Sequence, residues 1–237
     1  MRHLIDFGDL SRAEWDTLYQ RCSDIIDHPA DFLDVCRGRV MASLFYEPST
    51  RTNFSFQTAM LRVGGTVFGF ADPRSSSVAK GETLKDTIKM VSGYADVVVM
   101  RNPMEGAAKA ASLYSDVPVI NAGDGGHMHP TQTTADLTTI TRLRGTVDGL
   151  SIGLCGDLKY GRTVHSLIKA LAKFKDIKFF LIAPRELAIP EYMRAFMRQN
   201  GMWFTEVTGL ESVIPQLDVL YMTRIQRERF VDPLEYE

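Results

Sequence analysis

Val97-Val98-Val99-Met100, set between Asp96 and Arg101, is an unbroken apolar run of strand length. A strand that is apolar on both faces has to be covered on both, and the usual setting for that is a parallel sheet between two layers of helix. The neighbouring segments agree. Residues 39–46, 66–70 and 118–122 read as further strands. After the first of them Phe56, Ala59, Met60 and Val63 recur at helical spacing, and Gly64-Gly65 breaks that helix. After the second, Leu84, Ile88 and Val91 do the same up to Gly93, and segments 107–114 and 130–143 read as two more helices. Upstream, Ser11-Arg12-Ala13-Glu14 has the form of a capping box for a helix running towards Ile26.

Past Gly145 the alternation starts again. Residues 150–156, 178–183, 202–207 and 218–223 read as strands with helices between them, the first marked by Val164, Leu167, Ile168 and Leu171. The expected fold class is therefore α/β, with two doubly wound parallel-sheet domains, 1–144 and 145–237. A length of 237 residues, 45% of them hydrophobic and 24% charged, supports two cores of that kind. The net charge of −2 excludes a general polyanion binder, so no nucleic-acid partner is expected. No apolar run reaches membrane-spanning length, so no membrane partner is expected either. The three cysteines, Cys22, Cys36 and Cys155, are scattered, and the N-terminus turns polar after a few residues. Both features fit a cytoplasmic protein.

Ligands of doubly wound sheets sit beyond the carboxyl ends of the strands, and the polar turns of this chain are expected there, forming one site. Glu47-Pro48-Ser49-Thr50-Arg51-Thr52 joins a strand to a helix. Ser49 is placed to cap that helix, and three hydroxyls and a guanidinium sit where the helix offers unpaired N–H groups to an anion. Loop 71–81 carries Arg74, Ser76 and Lys80, and with only Val78 and two alanines to pin it, it is expected to need an outside partner for order. It lacks the spacing of a P-loop. Arg101 ends a buried strand. The cluster 121–132 contains Asp124, His127, His129 and Gln132. His127-x-His129 beside Asp124 has metal-ligand character, but no further ligand pair is evident, so no metal and no cofactor are expected. Instead, His129 and Gln132 fall at another helix start. In the second half the polar turns are Gly156 to His165, which includes Arg162, and Met222 to Arg229, which includes Arg224 and Gln226. The chain shows no catalytic triad, reactive cysteine setting or carboxylate pair. What recurs is equipment for gripping anions and stabilising an oxyanion.

On these residues the sequence resembles the catalytic chains of aspartate carbamoyltransferases. The motifs are Ser49-Thr-Arg-Thr52, Lys80-Gly-Glu-Thr, Met100-Arg101-x-Pro, Asn121-Ala-Gly-Asp-Gly, His129-Pro-Thr-Gln132, Gly156-Asp-Leu-Lys-Tyr-Gly-Arg-Thr-Val-His165 and Met222-Thr-Arg-x-Gln226. The resemblance implies a carbamoyl-phosphate domain followed by an aspartate domain. It also implies transfer of a carbamoyl group from carbamoyl phosphate to the amine of L-aspartate, a step of pyrimidine biosynthesis. Carried over, Ser49, Thr50, Arg51 and Thr52 hold the phosphate. Arg101, His129 and Thr52 polarise the carbonyl, Gln132 binds the carbamoyl amino group, and Arg162, Arg224 and Gln226 hold aspartate. Ser76 and Lys80 reach a neighbouring subunit's site, Lys80 touching both substrates, which implies a homotrimer. Regulatory chains are possible additional partners. Glu47 pairs with arginines such as Arg162 and Arg229.

Asn53 and Ala79 depart from the commoner arginine and lysine of the family, and the family continues beyond the point where this sequence stops, so the second domain is expected to be incomplete. Two alternatives are an ornithine-type carbamoyltransferase, which shares the phosphate and His-Pro-x-Gln elements, and a non-catalytic, truncated binding subunit.

Overall fold

The structure, a computed structural model, describes residues 2–126 and 128–224. The chain divides into two compact units, Met1–Thr138 and Thr139–Glu237. The division falls within a helix, whereas the sequence reading placed it at Gly145, the first break after that helix.

The first unit holds a sheet of four parallel strands, β1 (Val40–Phe45), β2 (Thr66–Phe70), β3 (Val97–Asn102) and β4 (Val119–Asp124), in the order β2-β1-β3-β4. Its helices are α1 (Arg12–Asp27), α2 (Thr50–Arg62), α3 (Leu84–Ser92), α4 (Ala107–Tyr114) and α5 (Pro130–Arg144), the last running on into the second unit. The expected capping box closes α1 through Ser11 and Glu14. The strands bury alternate residues on opposite faces. Ala42, Leu44, Val98 and Met100 pack with Ile88 and Val91 of α3 and Ala107, Ala108 and Ala111 of α4. Met41, Phe45 and Val99 pack with Phe56 and Met60 of α2. This two-sided burial is what the apolar run at 97–100 requires. Residues near the N-terminus cover the outer edge of β4, where Leu4 bridges Ile120 in parallel and the His3 Nδ1 accepts from the Val119 amide at 3.1 Å.

The second unit repeats the plan with β5 (Ser151–Cys155), β6 (Lys178–Ile182), β7 (Trp203–Val207) and β8 (Val219–Met222), all parallel in the order β7-β6-β5-β8. Helix α6 (Arg162–Leu171) buries Val164, Leu167, Ile168 and Leu171, and α7 (Glu191–Gln199) buries Met193 and Met197. One expectation fails. Between β7 and β8 no α-helix forms: the connection 208–218 holds a turn followed by a 3-10 turn at Ile214–Gln216, where Pro215 has no amide to donate to a helical hydrogen bond.

Helix α2 is fixed to β1 by a buried polar contact. Asn53, at 5% exposure, accepts from the Ser43 hydroxyl at 3.0 Å and from Gln57 Nε2 at 2.6 Å. Asn53→Ala is expected to leave the Ser43 hydroxyl unpaired in the interior and to destabilise the protein by about 1–3 kcal/mol. Adding Ser43→Ala should recover part of that loss. Urea unfolding of the three variants measures both effects.

Candidate active site

In both units the candidate side chains leave the carboxyl ends of the strands. In the first unit, β1 is followed by Tyr46, Glu47 and Pro48, and then α2 begins. Ser49 occupies the position before the helix, but its side chain makes no capping bond, contrary to expectation. Only its carbonyl is engaged, by the Asn53 amide at 3.0 Å. The cause is the Ser49 backbone, at φ −158 and ψ 84, which departs from the extended conformation of a capping serine. No acidic residue lies in the first turn of α2, and Thr50 and Arg51 are exposed. Among the described residues the Ser49, Thr50 and Thr52 hydroxyls and the Arg51 guanidinium have no side-chain partner. The start of this 13-residue helix thus combines its own N–H groups, three hydroxyl donors and an uncompensated cation.

Arg101 comes from the next strand of the sheet, where β3 pairs with β1 at Phe45. Its side chain is 11% exposed, and its Nε donates to Glu47 Oε1 at 2.6 Å. The terminal nitrogens of Arg101 have no acceptor among the described residues. Where β3 meets β4 the register shifts. Met100 pairs with Asn121 but Asn102 with Asp124, so β4 carries one residue more than β3 across Arg101. Such bulges re-aim side chains at strand ends. Gly123 lies in the bulge at φ +122, and a Cβ there would stand 3.4 Å from Arg101 Nη1 and 3.6 Å from His129 Cδ2. The guanidinium and the imidazole thus both lie within van der Waals reach of that one position.

His129 precedes α5 and is 8% exposed, and its carbonyl accepts from the Gln132 and Thr133 amides, both at 3.1 Å. Gln132 Nε2 donates to Asp136 one turn on, at 2.8 Å. That bond fixes the amide so that its oxygen is the end left to accept from a ligand. Asp124, which the sequence offered as a metal ligand, is a brace. Its Oδ1 accepts from the Met128 amide at 3.0 Å and from Asn121 Nδ2 at 3.2 Å, and its Oδ2 accepts from the Gly106 amide at 3.0 Å. His127, the other residue of that reading, lies outside the described residues.

Loop 71–81 is not the unsupported segment the sequence indicated. It forms two 3-10 turns, Pro73–Ser75 and Ser77–Lys80. Asp72 caps the first and pairs with Arg74 at 2.6 Å. The Ser76 hydroxyl donates to the Pro73 carbonyl at 2.8 Å and accepts from the Val78 amide at 3.3 Å. Lys80 is exposed and has no partner among the described residues.

In the second unit, Arg162 is the first residue of α6, and Arg224 follows the end of β8 by two residues and is exposed. Thr223 joins these two regions. Its amide donates to the Cys155 carbonyl at 2.8 Å, and its hydroxyl accepts from the Asp157 amide at 2.7 Å. Gly156, at φ +113, permits this clasp, since a Cβ there would fall 2.5 Å from the Thr223 hydroxyl. Buried His165 shares an ordered network with Leu158 and Tyr192, and burial pushes its pKa below the ordinary value, only partly opposed by the Leu158 carbonyl. Gln226 and Arg229 lie outside the described residues.

The sequence reading missed the Glu47–Arg101 pair, the Thr223 clasp and the His165–Tyr192 contact. The first was foreshadowed by two strands ending in charges. The other two join residues 66–68 and 27 positions apart and leave no local signal.

Gly123→Ala is expected to strain the backbone of the bulge beside Arg101 and His129, because L side chains rarely adopt φ +122. The fold should lose about 1–3 kcal/mol from the positive φ. Urea unfolding of the variant reads the effect.

Comparison with known proteins agrees with this geometry. Residues 2–142 match the family model described as "Aspartate/ornithine carbamoyltransferase, carbamoyl-P binding domain". The aspartate carbamoyltransferase catalytic subunit of Clostridium perfringens (strain ATCC 13124) is 57% identical over 237 residues, which is all of this chain and 77% of the relative. Among solved structures, the catalytic subunit of M. jannaschii aspartate transcarbamoylase superposes with a TM-score of 0.93 at 48% identity, covering 100% of this chain and 78% of that one. Aspartate transcarbamoylase from Trypanosoma cruzi, in complex with carbamoyl aspartate and phosphate, superposes with a TM-score of 0.87 at 39% identity, covering 96% and 76%. Sequence, fold and the arrangement of polar groups at the strand ends place the chain in the family of aspartate carbamoyltransferase catalytic subunits.

Proposed function

We propose that this chain catalyses carbamoyl transfer from carbamoyl phosphate to the amine of L-aspartate, giving N-carbamoyl-L-aspartate and phosphate for pyrimidine biosynthesis. The observation that carries the reading at the residue level is the start of α2, where Ser49, Thr50, Arg51 and Thr52 present donors that no group among the described residues engages.

In this reading that turn holds the phosphate, and its positive charge and N–H groups stabilise phosphate as it leaves. Arg101 and His129, with Thr52, donate to the carbamoyl oxygen as the amine adds and negative charge collects there. Arg101 suits the task because Glu47 holds its Nε and leaves the outer nitrogens to donate. The Gln132 amide oxygen accepts from the carbamoyl NH₂. No covalent enzyme intermediate is needed, and catalysis rests on positioning and electrostatics.

Arg162 and Arg224, with Gln226, bind the aspartate carboxylates. Two arginines suit a dicarboxylate and disfavour the cationic side chain of ornithine, which argues against that alternative. Ser76 and Lys80 serve the adjacent subunit of a homotrimer. Lys80, exposed and without a partner among the described residues, supports this, since its loop is shaped by its own hydrogen bonds. The protein is read as cytoplasmic; among the described residues no helix is long and apolar enough to cross a membrane.

Arg51→Ala should weaken binding of inorganic phosphate by about 1.5–3 kcal/mol, the value of a charge-assisted contact. Arg224→Ala should raise the aspartate requirement and leave phosphate affinity nearly intact. Equal loss of phosphate binding in both variants would contradict the assignment, and wild-type phosphate binding without turnover would favour the non-catalytic alternative. The trimer is tested by complementation: inactive Lys80→Ala and Arg51→Ala chains, allowed to exchange subunits, should regain part of the activity. No recovery after demonstrated exchange would mean that each site is built within one chain.

A further inference from the structure

His165 belongs to none of the ligand sets above, yet it is 5% exposed and both of its ring nitrogens are committed. Nε2 lies 2.7 Å from the Leu158 carbonyl, which can only accept, so Nε2 carries the proton. Nδ1 is then an acceptor, and the Tyr192 hydroxyl donates to it at 2.9 Å. The two rings meet edge to face, with centroids 5.7 Å apart and planes at 86°.

Leu158 lies in the turn between β5 and α6 and is fully buried. Its amide donates to the Leu187 carbonyl at 3.1 Å, so the residue is held at both backbone groups. From Leu158 the chain needs only three residues to reach the start of α6. Asp157 Oδ1 accepts from the Tyr160 amide at 2.8 Å, and the Tyr160 carbonyl accepts from the Arg162 amide at 3.0 Å. The backbone position of Arg162 is thus set by a short series of bonds, and its point of attachment is Leu158. Tyr192, on α7, holds the imidazole that makes this attachment.

We propose that His165, oriented by Tyr192, is a positioning residue for substrate carboxylate binding. It fixes the Leu158 carbonyl and through it the place from which Arg162 reaches its ligand. This deepens the reading of Arg162 as an aspartate ligand and rests on it. The role belongs to one nitrogen. Glutamine places an amide nitrogen near the imidazole Nε2 and can donate to Leu158, whereas asparagine places its amide near Nδ1 and cannot.

The experiment compares His165→Asn, His165→Gln and Arg162→Ala in the full chain, in the oligomer it forms, by steady-state kinetics with L-aspartate and calorimetry with inorganic phosphate. His165→Asn should raise the aspartate KM about tenfold, as expected for loss of a buried hydrogen bond that leaves its acceptor unpaired, with a smaller change in kcat and unchanged phosphate affinity. His165→Gln should stay within about threefold of wild type. Equal losses in the Asn and Gln variants, or an unchanged KM in a folded His165→Asn protein, would overturn the proposal. If Arg162→Ala leaves the aspartate KM unchanged, it is the assignment of Arg162 that falls. If Arg162→Ala raises KM and His165→Asn does not, only the positioning role falls. Should His165→Asn fail to fold, Tyr192→Phe decides: it is expected to raise the aspartate KM about threefold at unchanged phosphate affinity, and a wild-type KM would refute the role.

Discussion

The carboxyl end of the first sheet is organised around one ion pair, Glu47 with Arg101, just past and at the ends of two neighbouring strands. With side-chain exposures of 25% and 11%, this pair is a poor source of stability, because taking both charges from water costs roughly what their attraction returns. Its effect is on geometry. An arginine held at Nε by a carboxylate cannot swing, and its outer nitrogens keep a fixed direction. The parallel register of β1 and β3 puts the two residues side by side, and the bulge between β3 and β4 turns the guanidinium towards His129. The position of the cation is therefore a property of the sheet rather than of a loop.

The same economy governs the second unit. Parallel strands end together, so every β-to-α connection begins on one edge of the sheet, and helices start there with their N–H groups unpaired. Arg162 stands at such a start, while Thr223 ties the β5 and β8 ends together by three hydrogen bonds. In each unit buried polar side chains, Asn121 and Asp124 in the first and His165 in the second, act as scaffolding that holds nearby backbone in place. Most of their hydrogen bonds are to main-chain atoms, which is why they constrain the backbone closely.

Much of this was legible in the sequence. Val97-Val98-Val99-Met100 required a sheet covered on both sides, and the cores around Leu44 and Phe45 have that form. The strand and helix limits came close because glycines and prolines punctuate the chain at the right places. The turns that bear Arg51, Arg101, His129, Arg162 and Arg224 were visible because charges and hydroxyls follow apolar runs abruptly. What could not be read was which polar group faces which. Ser49 has the composition of a helix cap, but its backbone takes it elsewhere. Asp124 has the composition of a metal ligand, yet it accepts from two backbone amides and a side-chain amide. Such choices are set by contacts between distant segments. The connection at 208–218 departs for a local reason, since Pro215 has no amide to carry a helix through it and the segment settles into a turn and a 3-10 turn.

The two tight turns of loop 71–81 carry a consequence for association. A cation on a floppy tether reaches a partner only after the tether gives up conformational freedom, and that loss is subtracted from the affinity. Here Asp72, Arg74 and Ser76 have already closed the turns when the chain folds. If Lys80 serves a neighbouring subunit as proposed, it is carried there on a preformed loop, and the encounter with an anion on that subunit needs only the side chain itself to settle. The rate of that encounter is then governed by charge and salt rather than by the slow search of a disordered segment.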